Sequence, residues 1–281
     1  MLPPHQPRSA LLLLVVALLC VSFGVPTVSA SLQGNSARSL TPLQLEIQKQ
    51  KDRLSSAEIE DRRDAVSRLG ALHHPDASRA AVAALKDPAA IVRATAAGVV
   101  LYLPSEESAA ALLPLLSDKD EFVRQETAYA LGKTRSRMAA GSLADLLLKE
   151  KKDGVRGAIV VALGDIGDET SVVSLAQILR PELSMATSKK RSKKQENPLV
   201  LRAAAHALGQ IGSRAGVPAL LAALQDQEAE SDVRREAATS LGLIGDRAAL
   251  PALTGLLSAD DPYLSRAAFE ASRRISHNTN P

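Results

Sequence analysis

Apolar residues recur along most of the chain at spacings of three and four. In DVRREAATSLGLIGD, residues 232–246, Val233, Ala237, Leu241 and Ile244 stand at i, i+4, i+8 and i+11, one side of a helix with about 3.6 residues per turn. Gly245, just past the last apolar position, predicts the end of that helix, because glycine reaches positive φ without a Cβ clash. Asp246 is placed to cap a second helix carrying Leu250, Leu253, Leu256 and Leu257. The unit is a helical hairpin, and a lone hairpin leaves most of its apolar stripe in water.

The Leu-Gly pair of this stretch returns at Leu69-Gly70, Leu131-Gly132, Leu163-Gly164 and Leu208-Gly209, with Val100-Leu101 a degenerate copy and Ser272-Arg273 an eroded one. Successive copies lie 31, 31, 32, 45, 33 and 31 residues apart. A near-fixed period in this range predicts stacked units, each covering the apolar surface of its neighbour. The fold class expected for residues 56–276 is therefore all-α: an α-α superhelix of about six helical hairpins with capping helices. Pro114, Pro218 and Pro251 are expected near the starts of second helices, where a missing N–H costs least. Residues 31–55 read as a polar linker and an N-terminal capping helix opened by Thr41-Pro42 and carrying Leu43, Ile47 and Leu54. Ser55 and Glu58 have capping-box spacing ahead of the first repeat. A final helix is expected over Asp261 to Ile275, and residues 277–281 form a tail.

Val-Arg, Ala-rich turns and then Leu-Gly-x-Ile-Gly-Asp resemble the short HEAT-like repeats named after phycobilisome lyases. The copies that carry the likeness are DGVRGAIVVALGDIGDETSVVSLAQIL (153–179), VLRAAAHALGQIGSRAGVPALLAAL (200–224) and DVRREAATSLGLIGDRAALPALTGLL (232–257). The resemblance implies a HEAT-like solenoid. It says little about activity, because a repeat motif specifies packing and function lies in what the surface displays. Composition agrees: 46% of residues are hydrophobic, 2% aromatic and none Trp, so small Ala-rich contacts stack the helices.

Residues 1–30 have Arg8 as their one charged side chain, an apolar run from Ala10 to Val21 and the ending Val28-Ser29-Ala30. That order predicts a signal peptide cleaved after Ala30, and hence a periplasmic or secreted protein. The run is shorter than the ~20 residues of a comfortable membrane span, and the alternative is an uncleaved N-terminal anchor. Cys20 is preceded by Leu19, where a lipoprotein signal carries a small residue. Cleavage removes this single cysteine and with it disulfides, thiol nucleophiles and sulfur ligands.

An arginine recurs at Arg62, Arg93, Arg124, Arg156 and Arg234, while Leu201 and Ser265 break the column and Arg202 and Arg266 follow one residue later. An evenly spaced basic column invites a phosphate or nucleic-acid reading. The repeat resemblance implies instead that this arginine bonds acidic and backbone groups of the neighbouring turn, with Asp87, Asp120, Asp153 and Asp232 standing just ahead of such arginines.

The 45-residue step marks an insertion, ELSMATSKKRSKKQENP at 182–198, with Lys189, Lys190, Arg191, Lys193 and Lys194 and no apolar periodicity. It is expected to be a surface loop. Formal charge is +3 for the whole chain, +2 without Arg8, and residues 184–198 hold +4 of it, so the rest of the solenoid is about −2. The loop is the candidate contact for an anionic surface, and the alternative is a solvated insertion with no partner. Each Lys near such a surface is worth on the order of 1 kcal/mol, so the contact would be weak and salt-sensitive. With no interleaved aromatic residue, base stacking and a specific nucleic-acid partner are not supported.

Relatives of this fold include bilin lyases and di-iron deoxyhypusine hydroxylases, whose His-Glu pairs converge on two irons. This chain has no His-Glu pair. His5 leaves with the signal, His73 and His74 lie in a turn before Pro75, His206 sits among alanines and His277 is in the tail. Each reads as a surface or packing residue. The Gly-x-Ile-Gly copies follow helices, whereas a dinucleotide fingerprint follows a strand. No catalytic, cofactor-binding or metal residue is assigned, and no cofactor is expected.

The function expected is that of an exported, non-catalytic, monomeric scaffold binding a protein partner on the solenoid surface. Second-helix positions Glu106, Glu107, Arg137, Asp145, Glu169, Gln177 and Arg247 are its candidate binding face. The alternatives are an enzyme or pigment-handling protein of the same fold, and a binder of anionic envelope surfaces through the basic loop.

Overall fold

The computed structural model describes residues 40–179 and 196–277. Helix α1 (Pro42–Arg53) comes first. The first hairpins pair α2 (Ile59–Ala71) with α3 (Pro75–Ala81), α4 (Ala90–Val99) with α5 (Ser105–Leu112), and α6 (Glu121–Thr134) with α7 (Ala140–Leu147). The later ones pair α8 (Asp153–Ile166) with α9 (Val172–Leu179), α10 (Pro198–Ile211) with α11 (Val217–Gln225), and α12 (Ser231–Ile244) with α13 (Leu250–Thr254). Helix α14 (Pro262–His277) closes the series, and no strand occurs among the described residues. The six hairpins expected from the period are all present.

First helices stack directly on one another, α2 on α4 and so on to α12 on α14. The Leu-Gly pair explains why. Leu69, Leu131, Leu163, Leu208 and Leu241 are buried, and the glycine beside each lets the next first helix approach closely. A Cβ on Gly132 would lie 2.7 Å from the Ala162 Cα, and one on Gly242 2.7 Å from the Ala271 Cα. Each second helix from α5 to α11 packs on the first helix of the following repeat and closes the core from the other side.

Three residues beyond that glycine the chain turns through left-handed backbone, at Gly167 (φ 69°), Gly212 (φ 74°) and Gly245 (φ 76°). His73 (φ 48°) and Arg135 (φ 54°) occupy the same position without being glycine. The degenerate second repeat has Pro104 there, whose φ of −51° excludes this turn, and its first helix ends instead in a 3-10 turn at Val100–Tyr102. Asp168 and Asp246 then cap the 3-10 turns Glu169–Ser171 and Arg247–Ala249 that lead into the second helices, accepting from the Thr170 and Ala248 amides at 2.9 Å.

Four local expectations are corrected. Thr41 makes the capping box, with Gln44, whereas Ser55 caps nothing: α2 starts at Ile59, and the Glu58 amide bonds the Ser56 hydroxyl at 3.2 Å. Pro218 and Pro251 do stand at second-helix starts, but α5 begins at Ser105, so Pro114 opens the 3-10 segment Leu113–Ser117 that follows it. The last helix runs from Pro262 to His277, which places His277 in its final turn. The fourth correction concerns the acidic partners of the arginine column, described below. The leader 1–30 and the basic residues Lys189, Lys190, Arg191, Lys193 and Lys194 lie outside the described residues.

A capping helix covers the stack at each end. Helix α1 buries Ile47 and Gln50 and packs on α2 and α3, and α14 turns Leu264, Ala268, Ala271 and Ile275 inward. No described helix is long and apolar enough to cross a membrane.

Candidate functional site

The first helices carry a continuous arginine–carboxylate ladder. Arg62 donates from Nε and Nη2 to the Asp87 carboxylate at 2.7 and 2.9 Å, and from Nη1 to the Ser56 and Ala57 carbonyls. Arg93 does the same to Asp118, at 2.7 and 2.8 Å, and its Nη1 donates to the Asp87 carbonyl at 2.8 Å. Arg124 reaches Glu150 at 2.8 Å and the Asp118 carbonyl at 2.8 Å. Arg156 closes on Glu196 and on the carbonyls of Leu147 and Glu150. Asp87, Asp118 and Glu150 thus each hold two arginines, one on the carboxylate and the next on the carbonyl.

These pairs are largely out of water, with side-chain exposures of 10% and 8% for Arg62–Asp87 and 9% and 10% for Arg93–Asp118. The Arg62 and Arg93 guanidinium groups hold the Asp87 and Asp118 carboxyls below the usual carboxylate range, against the opposing effect of burial. Burial pushes Glu150 up, but the Arg124 bond and the amides of Lys152 and Lys151 outweigh it, and its net direction is also down.

The column is therefore consumed internally, as the repeat resemblance implied, but three of its four expected acids are wrong. Asp120 caps α6, Asp153 accepts from the Asn197 side-chain amide at 3.1 Å, and Asp232 bonds Arg235 at 2.8 Å. Those acids lie at the start of the first helices, too near the arginine for a side chain that folds back across the turn. The working acids Asp87, Asp118, Glu150 and Glu196 sit six residues ahead of Arg93, Arg124, Arg156 and Arg202, a spacing present in the sequence. Arg234 falls off the ladder: its Nε bonds the Leu224 carbonyl at 3.1 Å, and Arg235 takes the carboxylate of the next turn, Asp261, at 3.0 Å. Arg202 comes only within 3.9 Å of Asp232, and Arg266 pairs within its own helix with Glu270.

On the second-helix side the expected polar residues divide. Glu107 is bidentate to Arg79 at 3.0 and 3.1 Å, and Glu106 accepts from the Ser136 hydroxyl at 2.9 Å, so both join neighbouring repeats. Arg137 is 81% exposed and 3.9 Å from Asp168, while Asp145, Glu169 and Arg247 are exposed and Gln177 is half-buried. Sequence reasoning left out the apolar members of this side, Met138 at 50% and Val173 at 65% exposure. An open recess lies between the first helices of repeats five and six, lined by Pro198, Leu199, Arg202, Glu230, Asp232 and Val233.

The histidines have separate local roles. The His73 ring lies 4.8 Å from that of Tyr102, His74 Nδ1 accepts from the Asp76 amide, and His206 Nδ1 is 2.8 Å from a Glu236 carboxylate oxygen. Among the described residues, no group of three or more His, Cys, Asp or Glu is arranged to hold a metal ion.

Hairpins of near-constant length, stacked through their first helices, are the arrangement that the family models recognise. Models of HEAT repeats match residues 47–131, 79–164, 109–184 and 189–273. The chain is a HEAT-repeat protein. No curated protein matches it by sequence. Among solved structures, this HEAT-repeat chain is similar to human deoxyhypusine hydroxylase in complex with glycerol, at 20% identity over 83% of this chain and 96% of that one, with a TM-score of 0.41. It is similar to the CpcE–CpcF complex of phycocyanin lyase from Nostoc sp. PCC7120, at 22% identity over 86% and 97%, TM-score 0.48. It is also similar to YibA of E. coli, at 17% identity over 84% and 98%, TM-score 0.47. No activity is carried over from likenesses of this size.

Proposed function

We propose that this HEAT-repeat protein is an exported, non-catalytic scaffold that binds a protein partner on the second-helix side of its stack. The observation that carries the reading is the run of apolar and arginine side chains left in solvent along the second-helix side. First helices spend their shared surface on each other, through the Leu-Gly contacts and the arginine ladder. The second-helix side leaves Met138, Val173, Pro218 and Pro251 in solvent beside Arg137, Arg214 and Arg247. Apolar patches interspersed with arginine are the usual makings of a protein interface. The leader-like segment 1–30 supports export, and a capping helix at each end of the stack supports a monomer.

The repeats resemble the short kind named after phycobilisome lyases, and the second reading is a pigment-handling or enzymatic protein of the same fold. Pigment or metal co-purifying in stoichiometric amount would favour it.

The test is a photo-crosslinking amino acid placed at Met138 or Val173, with Tyr129 on the first-helix side as control, in the cell that exports the protein. One protein species captured from the first two positions and not from Tyr129 is the expected result. Capture that instead requires Lys189, Lys190, Arg191, Lys193 and Lys194 moves the function to the basic loop.

A further inference from the structure

Two arginines on the second-helix side of repeats five and six stand in solvent, and among the described residues the one ion pair they make between repeats is the long contact of Arg214 with Asp246. Arg214 and Arg247 each stand five residues after the Leu-Gly glycine, Gly209 and Gly242, so stacking puts them in one register on neighbouring repeats. Arg214 is 84% exposed and comes within only 3.7 Å of Asp246, whose carboxylate already accepts from the Ala248 amide. Arg247 is exposed, with no ion-pair partner among the described residues. The ladder arginines Arg62, Arg93, Arg124 and Arg156 are, by contrast, buried or half-buried and bonded on several nitrogens.

The second-helix segments that carry this pair hold little other charge. Apart from Asp246, residues 212–225 and 245–259 contain no other ionisable side chain. Pro218 and Pro251, also in equivalent register, are exposed beside them, with Leu257 at 43%. A guanidinium held out over apolar surface gains a bidentate, charge-assisted bond when a carboxylate arrives.

The spacing narrows the ligand. Packed helices of adjacent repeats lie about 10 Å apart. Carboxylates spaced at about that distance engage both guanidinium groups without either side chain bending toward the other. A polyproline-II chain has about three residues per turn and rises about 3.1 Å per residue, so its side chains i and i+3 share a face about 9 Å apart.

We propose that Arg214 and Arg247 form a docking row for an extended acidic segment of the protein partner, with a carboxylate at every third residue and small apolar residues lying on Pro218 and Pro251. The row stops at repeat four, where Glu169 occupies the register, so Arg137 lies outside it. The inference rests on the second-helix side being the protein-binding side.

The test is fluorescence anisotropy of a fluorescein-labelled peptide repeating Glu-Pro-Ala, titrated with the mature chain. Arg214→Glu and Arg247→Glu should each weaken binding by about tenfold or more, and a peptide repeating Gln-Pro-Ala should bind about tenfold more weakly. Arg63→Glu on the first-helix side, and replacement of the five basic loop residues by Ser, should change affinity less than about twofold, and unchanged thermal melts would show every variant folded. Equal binding by Arg214→Glu and the parent chain would overturn the proposal, as would loss on the loop replacement or tighter binding of single-stranded oligothymidine. Crosslinks from Met138 or Val173 that survive both Arg→Glu changes would sink the docking row alone and leave the scaffold reading standing.

Discussion

Arg93 reaches forward 25 residues to grip the Asp118 carboxylate with two guanidinium nitrogens, at 2.7 and 2.8 Å, while its third holds the Asp87 carbonyl at 2.8 Å. The same arginine therefore closes its own turn and fixes the next repeat. A pair so shielded from solvent is sensitive to losing one member, because the survivor is left charged and unpaired.

Asp118→Asn should accordingly cost on the order of 2–3 kcal/mol, measured by urea denaturation. Arg93→Met should cost a similar amount, and the double variant distinctly less than the two together, since no lone charge remains. Strict additivity in this cycle would show that the two residues do not act as a unit.

Acid should unfasten the ladder. Asp87 and Asp118 titrate lower in the folded chain than in the unfolded one, so the unfolded chain takes up protons first as pH falls. Their stabilisation is complete above about pH 5 and disappears as pH drops through the ordinary value near 3.9 toward the lowered folded one. The urea midpoint should fall over that window, and less steeply for Asp118→Asn. Parallel profiles for variant and parent would place the acid sensitivity elsewhere.

Glycines in this protein should respond oppositely to the same change. Gly132→Ala would press a Cβ to 2.7 Å from the Ala162 backbone, forcing α6 and α8 apart at a cost of about 2 kcal/mol. Gly98 and Gly157 lie within helices with open space where a Cβ would go, and alanine there should stabilise by about 0.5–1 kcal/mol. Thermal melts of the three single variants decide this, and destabilisation by all three would mean that the contact at Gly132 is not the cause.

At the inter-helix turn, Arg135 is held at φ 54° where three other repeats have glycine. Arg135→Gly should raise stability by up to about 1 kcal/mol, the relief of left-handed backbone offset in part by a looser unfolded chain. His73→Gly should gain less, because it also gives up the ring contact with Tyr102. A loss of stability in Arg135→Gly would show that the side chain contributes more than its backbone strain costs.

Most of the fold was legible in the one-dimensional pattern. The Leu-Gly period gave the hairpins, Gly245 and Asp246 gave the turn between two helices, and Thr41-Pro42 gave the N-terminal cap, because each is a short-range consequence of backbone sterics and helix periodicity. The candidate site was less legible. The arginine column was visible, but its acids were sought within the same turn, and three of them are used for other purposes.

The sequence by itself determined the repeat, the number of hairpins and the residues that can bend or cap the chain, since these depend on neighbours a few residues away. Only the tertiary structure decided that Arg62, Arg93, Arg124 and Arg156 are bonded forward into the next repeat while Arg214 and Arg247 stay in solvent. An arginine's worth depends on whether a carboxylate lies within about 3 Å and on how much water is excluded around the pair. Both are set by how one repeat stacks on the next.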